Sequence, residues 1–186
     1  MRALKGRSEE SSLHRISRTR RHRPPHLEAG PIGALIAALA SNDPVVSDRA
    51  RALLIEDGNA AVPGLIAVLS DRNGRLRWEA VKALCSIKDP SAAPALVSAL
   101  EDDMTEVRWM AAQGLIGLGK RGLVPLLQAL IAHSDSVRLR EGAHRILGAM
   151  NGEARSAGVM ELIESLESTA PVATVPIAAY NALKTL

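Results

Sequence analysis

The sequence predicts an all-α protein, a right-handed α-α superhelix (α-solenoid) of about five helical pairs, and three observations carry that prediction. Aromatic residues make up 2% of the 186 residues: no Phe, one Tyr (Tyr180) and two Trp (Trp78, Trp109). Sheet cores lean on aromatic and β-branched side chains, so a sandwich or barrel is disfavoured. Alanine and leucine dominate instead, which favours helices. A repeat also runs through the chain: Pro63, Pro94 and Pro125 are 31 residues apart, as are Leu65, Leu96 and Leu127. A second set lies between them, Ala50, Val81, Ala112 and Ala143, each followed three residues on by Leu53, Leu84, Leu115 and Ile146. Self-similarity at such a period is the signature of stacked helical units.

Two helices fit in each period. A short helix over 31–40 comes first, and its LIAAL (35–39) returns as LIAVL (65–69), LVSAL (96–100) and LLQAL (126–130). Pairs follow at 44–56/60–70, 75–87/91–100, 105–118/122–132 and 136–150/158–167. Asn73-Gly74, Asp89-Pro90 and Asp102-Asp103 mark the turns. Pro63, Pro94 and Pro125 fall in the first turn of the short helices, where the amide has no intrahelical acceptor and proline costs little. A last helix covers 172–185, and Pro176 predicts that it starts near there. Its Val175, Ala179 and Leu183 repeat the spacing of Val107, Ala111 and Leu115. No polar capping helix is evident, so the C-terminal end is expected to cap itself or to meet another subunit or further sequence.

Charge divides the chain in two. Residues 1–29 hold eight Lys/Arg against three acids, a net +5, whereas the remaining residues hold 15 against 17, a net −2. The first segment is poor in apolar residues and carries Pro24-Pro25, so it predicts a disordered basic arm ahead of a repeat domain over 30–186. Arg18, Arg20, Arg21 and Arg23 are its candidate anion-binding residues, toward nucleic acid among other polyanions. Cys85 is the single cysteine, which excludes an intrachain disulfide framework. No apolar run reaches the roughly 18 residues needed to cross a bilayer. No membrane span and a cytoplasmic location are expected.

The phrases Val107-Arg-Trp-Met-Ala-Ala-Gln-Gly-Leu-Ile-Gly-Leu118 and Leu76-Arg-Trp-Glu-Ala-Val-Lys-Ala-Leu84 resemble the HEAT-like repeats first noted in phycobilin lyase subunits. The resemblance covers about 30–186, and Val137-Arg138 departs from it by sitting one residue out of phase with the following helix. It implies an armadillo-like solenoid whose longer helices line a concave surface. For function it is less specific, since such repeats serve scaffolds, adaptors, lyase subunits and a few enzymes.

The long helices carry the informative positions. Equivalent slots read Ser47, Trp78, Trp109, Arg140, then Arg51, Lys82, Gln113, His144, then Asp48, Glu79, Met110, Glu141. Both tryptophans thus share one slot at the border between core and solvent. Rigid amphipathic side chains of this kind are favoured in binding hot spots. The expected site is a concave face centred on Trp78, Trp109 and Met110, with Arg51, Lys82, Gln113, Arg140 and His144 around it. Stacking of the tryptophans across the inter-repeat seam is the competing reading. Arg77 and Arg108 each follow an Asp by six residues (Asp71, Asp102), which predicts a structural contact to the preceding turn.

Recognisable catalytic signatures are lacking. There is no Walker loop, no Gly-x-Ser-x-Gly, no dinucleotide fingerprint and no zinc spacing. The His-Glu dipeptides that iron-binding HEAT enzymes place in successive repeats do not occur. The expectation is a non-enzymatic scaffold, without cofactor or metal, holding a protein or peptide on its concave face. A nucleic-acid-binding HEAT-like protein and a phycobilin-lyase-like subunit or cofactor-transfer chaperone are the alternatives.

Overall fold

The structure, a computed structural model, describes residues 31–150 and 156–186; the boundary of the basic arm and its Arg18, Arg20, Arg21 and Arg23 lie outside the described residues. The helices are α1 (Pro31–Leu39), α2 (Pro44–Glu56), α3 (Val62–Ala67), α4 (Gly74–Ile87), α5 (Ala93–Ser98), α6 (Thr105–Leu118), α7 (Lys120–Ala132), α8 (Val137–Ala149), α9 (Ala157–Leu166) and α10 (Pro171–Lys184). Every predicted helix is present. The six-residue helices α3 and α5 are each flanked by 3₁₀ turns, at Gly58–Ala60 and Val68–Ser70 for one and Pro90–Ala92 and Ala99–Glu101 for the other. The tighter i→i+3 bonds satisfy end groups that a two-turn helix leaves open.

Local chemistry fixes the helix starts. Asn73 accepts hydrogen bonds from the amides of Arg75 and Leu76, Ser136 from Leu139, Ser156 from Val159, and Asp43 from Val45 ahead of Pro44 at the first helical position. Pro63 and Pro94 stand in the first turn of α3 and α5 as expected. Pro125 does not, because α7 starts two residues earlier than predicted and encloses it. Gly119, with φ +57°, makes that possible by turning the chain from α6 into α7 in a single residue. Pro176 likewise lies inside α10, which begins at Pro171. The carbonyl that a proline there leaves without its helical amide is that of Val172, and it accepts the Ser134 hydroxyl at 3.1 Å.

The long helices α2, α4, α6 and α8 stack in sequence, and each short helix packs mainly on the long helix that follows it: α1 on α2, α3 with its 3₁₀ turn on α4, α5 with its turn on α6. The predicted grouping of 44–56 with 60–70 is thereby corrected. The chain bends by 110° between those two segments, so they cross steeply and do not run antiparallel. The repeating leucines meet between the layers: Leu65, Leu84, Leu96, Leu115 and Leu127 are buried, while Leu53, in the slot of Leu84, is half-buried beside the buried Leu54. Burial of one such side chain contributes about 1.5–3 kcal/mol. The end differs. Although Val175, Ala179 and Leu183 share the spacing of α6, α10 packs most closely on α9 and α7. Ile177 and Tyr180 remain outward at 65% and 51% exposure.

One side chain ties the repeats together. Arg77, 8% exposed, donates from Nε and Nη2 to both carboxylate oxygens of Asp102 at 2.7 and 2.8 Å, from Nη1 to the Asp71 carbonyl at 2.9 Å, and also to Asp103. The preceding turn is contacted as the spacing predicts, but through its carbonyl. The carboxylate partner belongs to the next repeat. The Asp102 hydrogen bonds, and then proximity to its charge, hold the Arg77 guanidinium above its ordinary value despite burial. Burial alone would raise the Asp102 carboxyl, but hydrogen bonds from Arg77 and the Met104 amide hold it below the usual carboxylate range.

Asp102→Asn is expected to destabilise the fold by about 3 kcal/mol at pH 7, since it leaves the buried guanidinium with only the exposed Asp103 carboxylate as counterion. Because the native carboxyl is depressed, its contribution is present above the unfolded value of about 4 and lost as pH falls through the native value. Acid titration of denaturant midpoints should therefore show wild type converging on the variant below about pH 4. Parallel curves would refute this.

Candidate functional site

The predicted face is built on α2, α4, α6 and α8, and the structure sorts its residues into three groups. Ser47 is buried, donating to the Pro44 carbonyl and receiving Arg75 Nη2 at 3.4 Å, so the first tryptophan-equivalent slot is closed. Trp78 is half-buried against the core, with Lys82 Nζ 5.6 Å from its ring centroid. Trp109 is 47% exposed. Neighbouring Met110 is half-buried and its carbonyl accepts the Cys85 thiol. Gln113 is exposed beside them. The two equivalent tryptophans are thus unequal: one is mostly packing, the other mostly surface.

Arg51 and Lys82 form the second group, and both converge on Glu79. That carboxylate is 6% exposed in the α2–α4 seam, paired with Arg51 and lying 3.2 and 3.3 Å from Lys82 Nζ. Arg51 also reaches Asp48 at 2.7 Å. Burial works against the Arg51 charge, yet hydrogen bonds to Asp48 and Glu79 leave its guanidinium above the ordinary value. These cations are engaged within the molecule. Their i−3 and cross-repeat partners were visible in the slot pattern as alternating signs.

Arg140 and His144 form the third group, at the far end of α8. They line a cleft of about 390 Å³ with Val137, Leu166 and Pro171. Arg140 donates to the Ser134 carbonyl, and His144 Nε2 stands 2.8 Å from a Glu167 oxygen. This cleft exists because the α9–α10 turn crosses the end of α8, which the repeat pattern does not encode.

Sequence reasoning passed over a second cleft, of about 190 Å³, between α6 and α8 and lined by Arg108, Arg138 and Arg145. Its signal was available: Arg138 and Arg145 stand one period after Val107 and Gly114. A groove of about 500 Å³ runs between α5 and α7 and includes His133 and Asp135. Cys85 is not a site residue: burial pushes its thiol up to about 11, and a thiol in that state packs as a small hydrophobe. Among the described residues no group of three or more His, Cys, Asp or Glu is able to hold a metal ion, and no single helix is long and apolar enough to cross a membrane.

A two-layered stack of helical pairs, with a buried Arg–Asp link between two turns and an aromatic slot on the long helices, defines a helical-repeat solenoid. The HEAT repeats family matches residues 32–107 and 93–184, and the chain belongs to it. Among characterised proteins it is similar to the bilin biosynthesis protein RpcF of Synechococcus sp. (strain WH8020), 45% identical over 64 residues that cover 34% of this chain and 30% of that protein. The match therefore spans less than a third of the length of that relative. Among solved structures it is similar to the complex of CpcE and CpcF of phycocyanin lyase from Nostoc sp. PCC7120, with a TM-score of 0.52 and 25% identity, covering 81% of this chain and 96% of that one. An engineered protein aligns less well, with a TM-score of 0.41 and 22% identity over 84% of this chain and 79% of that chain.

The expectation of a non-enzyme is corrected by these relatives. A solenoid that superposes on this one belongs to a phycocyanin lyase, which is an enzyme. Catalytic motifs of the familiar kind are therefore the wrong criterion for such a fold. The physical reason is that a fold does not fix a function, and working groups brought together by tertiary packing need leave no contiguous signature.

The inequality of the tryptophans is directly measurable. In Trp78→Phe the remaining indole, Trp109, should be quenched by acrylamide more strongly than the indole left in Trp109→Phe. Trp109→Ala should cost under about 1 kcal/mol of stability and Trp78→Ala about 2 kcal/mol. Equal quenching would place both in the seam.

Proposed function

We propose that this chain is a subunit of a phycobilin-lyase-type enzyme, one that holds a bilin during its attachment to an acceptor protein. The observation that carries this reading is the likeness to the CpcE and CpcF complex of phycocyanin lyase over 96% of the matched chain. The 64-residue likeness to a bilin biosynthesis protein supports it independently. The same likeness favours a protein partner, a second HEAT-like solenoid, over an arbitrary peptide.

The chemistry of the face suits such a ligand. A bilin is a long, flat conjugated system, and an indole held at a helix surface offers a flat apolar partner with few rotamers to freeze. Trp109 is that residue here, flanked by Met110, whose polarizable side chain adapts to a ring edge. Arg51 and Lys82, paired with Glu79 and Asp48, are held within the α2–α4 stretch. In this reading the solenoid supplies orientation, so that the bilin meets its acceptor in a productive pose, and proximity is a large part of what such an enzyme contributes.

Titration of the purified chain, alone and mixed with a second HEAT-like lyase subunit, with the linear tetrapyrrole biliverdin tests this. Induced visible circular dichroism is expected, with affinity falling roughly tenfold in Trp109→Ala, in line with the loss of one aromatic contact. Absence of an induced signal in both preparations would refute the reading.

A further inference from the structure

In the seam between α4 and α6 the slots of Val107 and Gly114 carry no charge. Val107 is buried there, and a Cβ on Gly114 would come within 2.7 Å of the Cys85 sulfur. One period later, the seam between α6 and α8 carries Arg138 in the slot of Val107 and Arg145 in the slot of Gly114. Two guanidiniums cannot be buried face to face without counterions. The seam opens instead into the 190 Å³ cleft, where Arg108 joins them from α6.

The counterion that the repeat would supply is missing. Arg77 is answered by Asp102, but the position one period after Asp102 is His133, so Arg108 has no matching acid. Arg108 is held by neutral groups: Nη1 donates to the carbonyls of Asp102 and Asp103 at 2.8 and 3.0 Å, and Nη2 to the Thr105 hydroxyl at 2.9 Å. Arg138 Nη1 donates to the Glu101 carbonyl at 3.0 Å. Arg145 makes no hydrogen bond or ion pair with the described residues, and its side chain is exposed. The one carboxylate lining the cleft is Glu141. Three guanidiniums therefore face one acid, two of them positioned by backbone oxygens that leave other N–H donors unused.

We infer that this cleft is an oxyanion site and that it takes a propionate carboxylate of the bilin, an assignment that rests on the function proposed above. At 190 Å³ it is too small for a tetrapyrrole and suits a short carboxylate arm. Trp109 directly follows Arg108 on α6, about a quarter turn round the helix, so a ring system stacked on the indole would have the cleft beside it. The bidentate fork of arginine matches a carboxylate, which is why the chemistry selects a carboxylate over a neutral substituent. Arg108 and Arg138 are the preset donors, and Arg145 closes on the bound anion.

The experiment compares biliverdin with its dimethyl ester, in which both propionates are neutral, by titration of the full chain followed through induced visible circular dichroism. Wild type is expected to bind the acid at least about tenfold more tightly than the diester, as loss of a charge-assisted pair predicts. Arg145→Gln should abolish that preference, and Arg138→Gln should reduce it. Arg49→Gln, an equal charge change on the exposed side of α2, should retain it. Equal affinity of wild type for acid and diester would overturn the cleft assignment and leave the functional reading standing. Retention of the preference in Arg145→Gln, or its loss in Arg49→Gln, would do the same. Binding of neither compound by wild type, alone or mixed with a second HEAT-like lyase subunit, would overturn both.

Discussion

The Arg77 guanidinium sits where two turns of consecutive repeats come together, and the order of the stack follows from what it must satisfy. A buried cation with several donors requires acceptors on every side. It finds the Asp71 carbonyl behind it and the Asp102 carboxylate ahead of it. Asp102 in turn accepts the Met104 amide at the start of α6, so the link positions the next long helix as well as the next turn. Apolar packing between the layers supplies most of the stabilisation but is tolerant of small slips. The directional ion pair is not, and it sets the angle at which one repeat follows the last.

That link is made once in full and then altered. Where Asp102 would recur stands His133, and the arginine that should meet it turns to carbonyls and to Thr105. The next helix brings arginines into a seam that the previous repeat fills with Val107 and closes at Gly114. Helix α10 then packs on α7 and α9, and its proline-freed carbonyl is taken up by Ser134. The second half of the solenoid is thus less regular than the first, and its clefts open along α8. Functional surfaces in repeat proteins concentrate where the repeat departs from its own rule, because a perfect repeat satisfies all of its polar groups internally.

The long-helix face shows the same division. Glu79 gathers Arg51 and Lys82 into the α2–α4 seam, so positions that share slots with Gln113 and His144 serve structure in one half and surface in the other. Trp78 and Trp109 divide similarly between packing and exposure. Equivalent position therefore does not mean equivalent role. Burial at each slot depends on what the neighbouring repeat places against it, and the neighbours differ.

The sequence by itself determined the helices, their caps and the two-layered stack. These are set by contacts within one period: apolar residues at helical spacing, Asn73-Gly74 at a helix start, Pro63 and Pro94 in first turns. It also placed Arg77 correctly against the preceding turn and singled out the aromatic slot. Only the tertiary structure decided which short helix pairs with which long one, because the 110° bend after α2 is a property of a turn and not of any periodicity. Only it decided that α10 leaves the pattern its own spacing suggests, since antiparallel packing on α9 and α7 buries Val175 and Ala179 equally well. The arginine cleft lay between these extremes. Its residues were countable in the repeat alignment, but whether misplaced charges become a paired seam or an open cleft depends on whether a counterion stands opposite, and that is a fact of three dimensions.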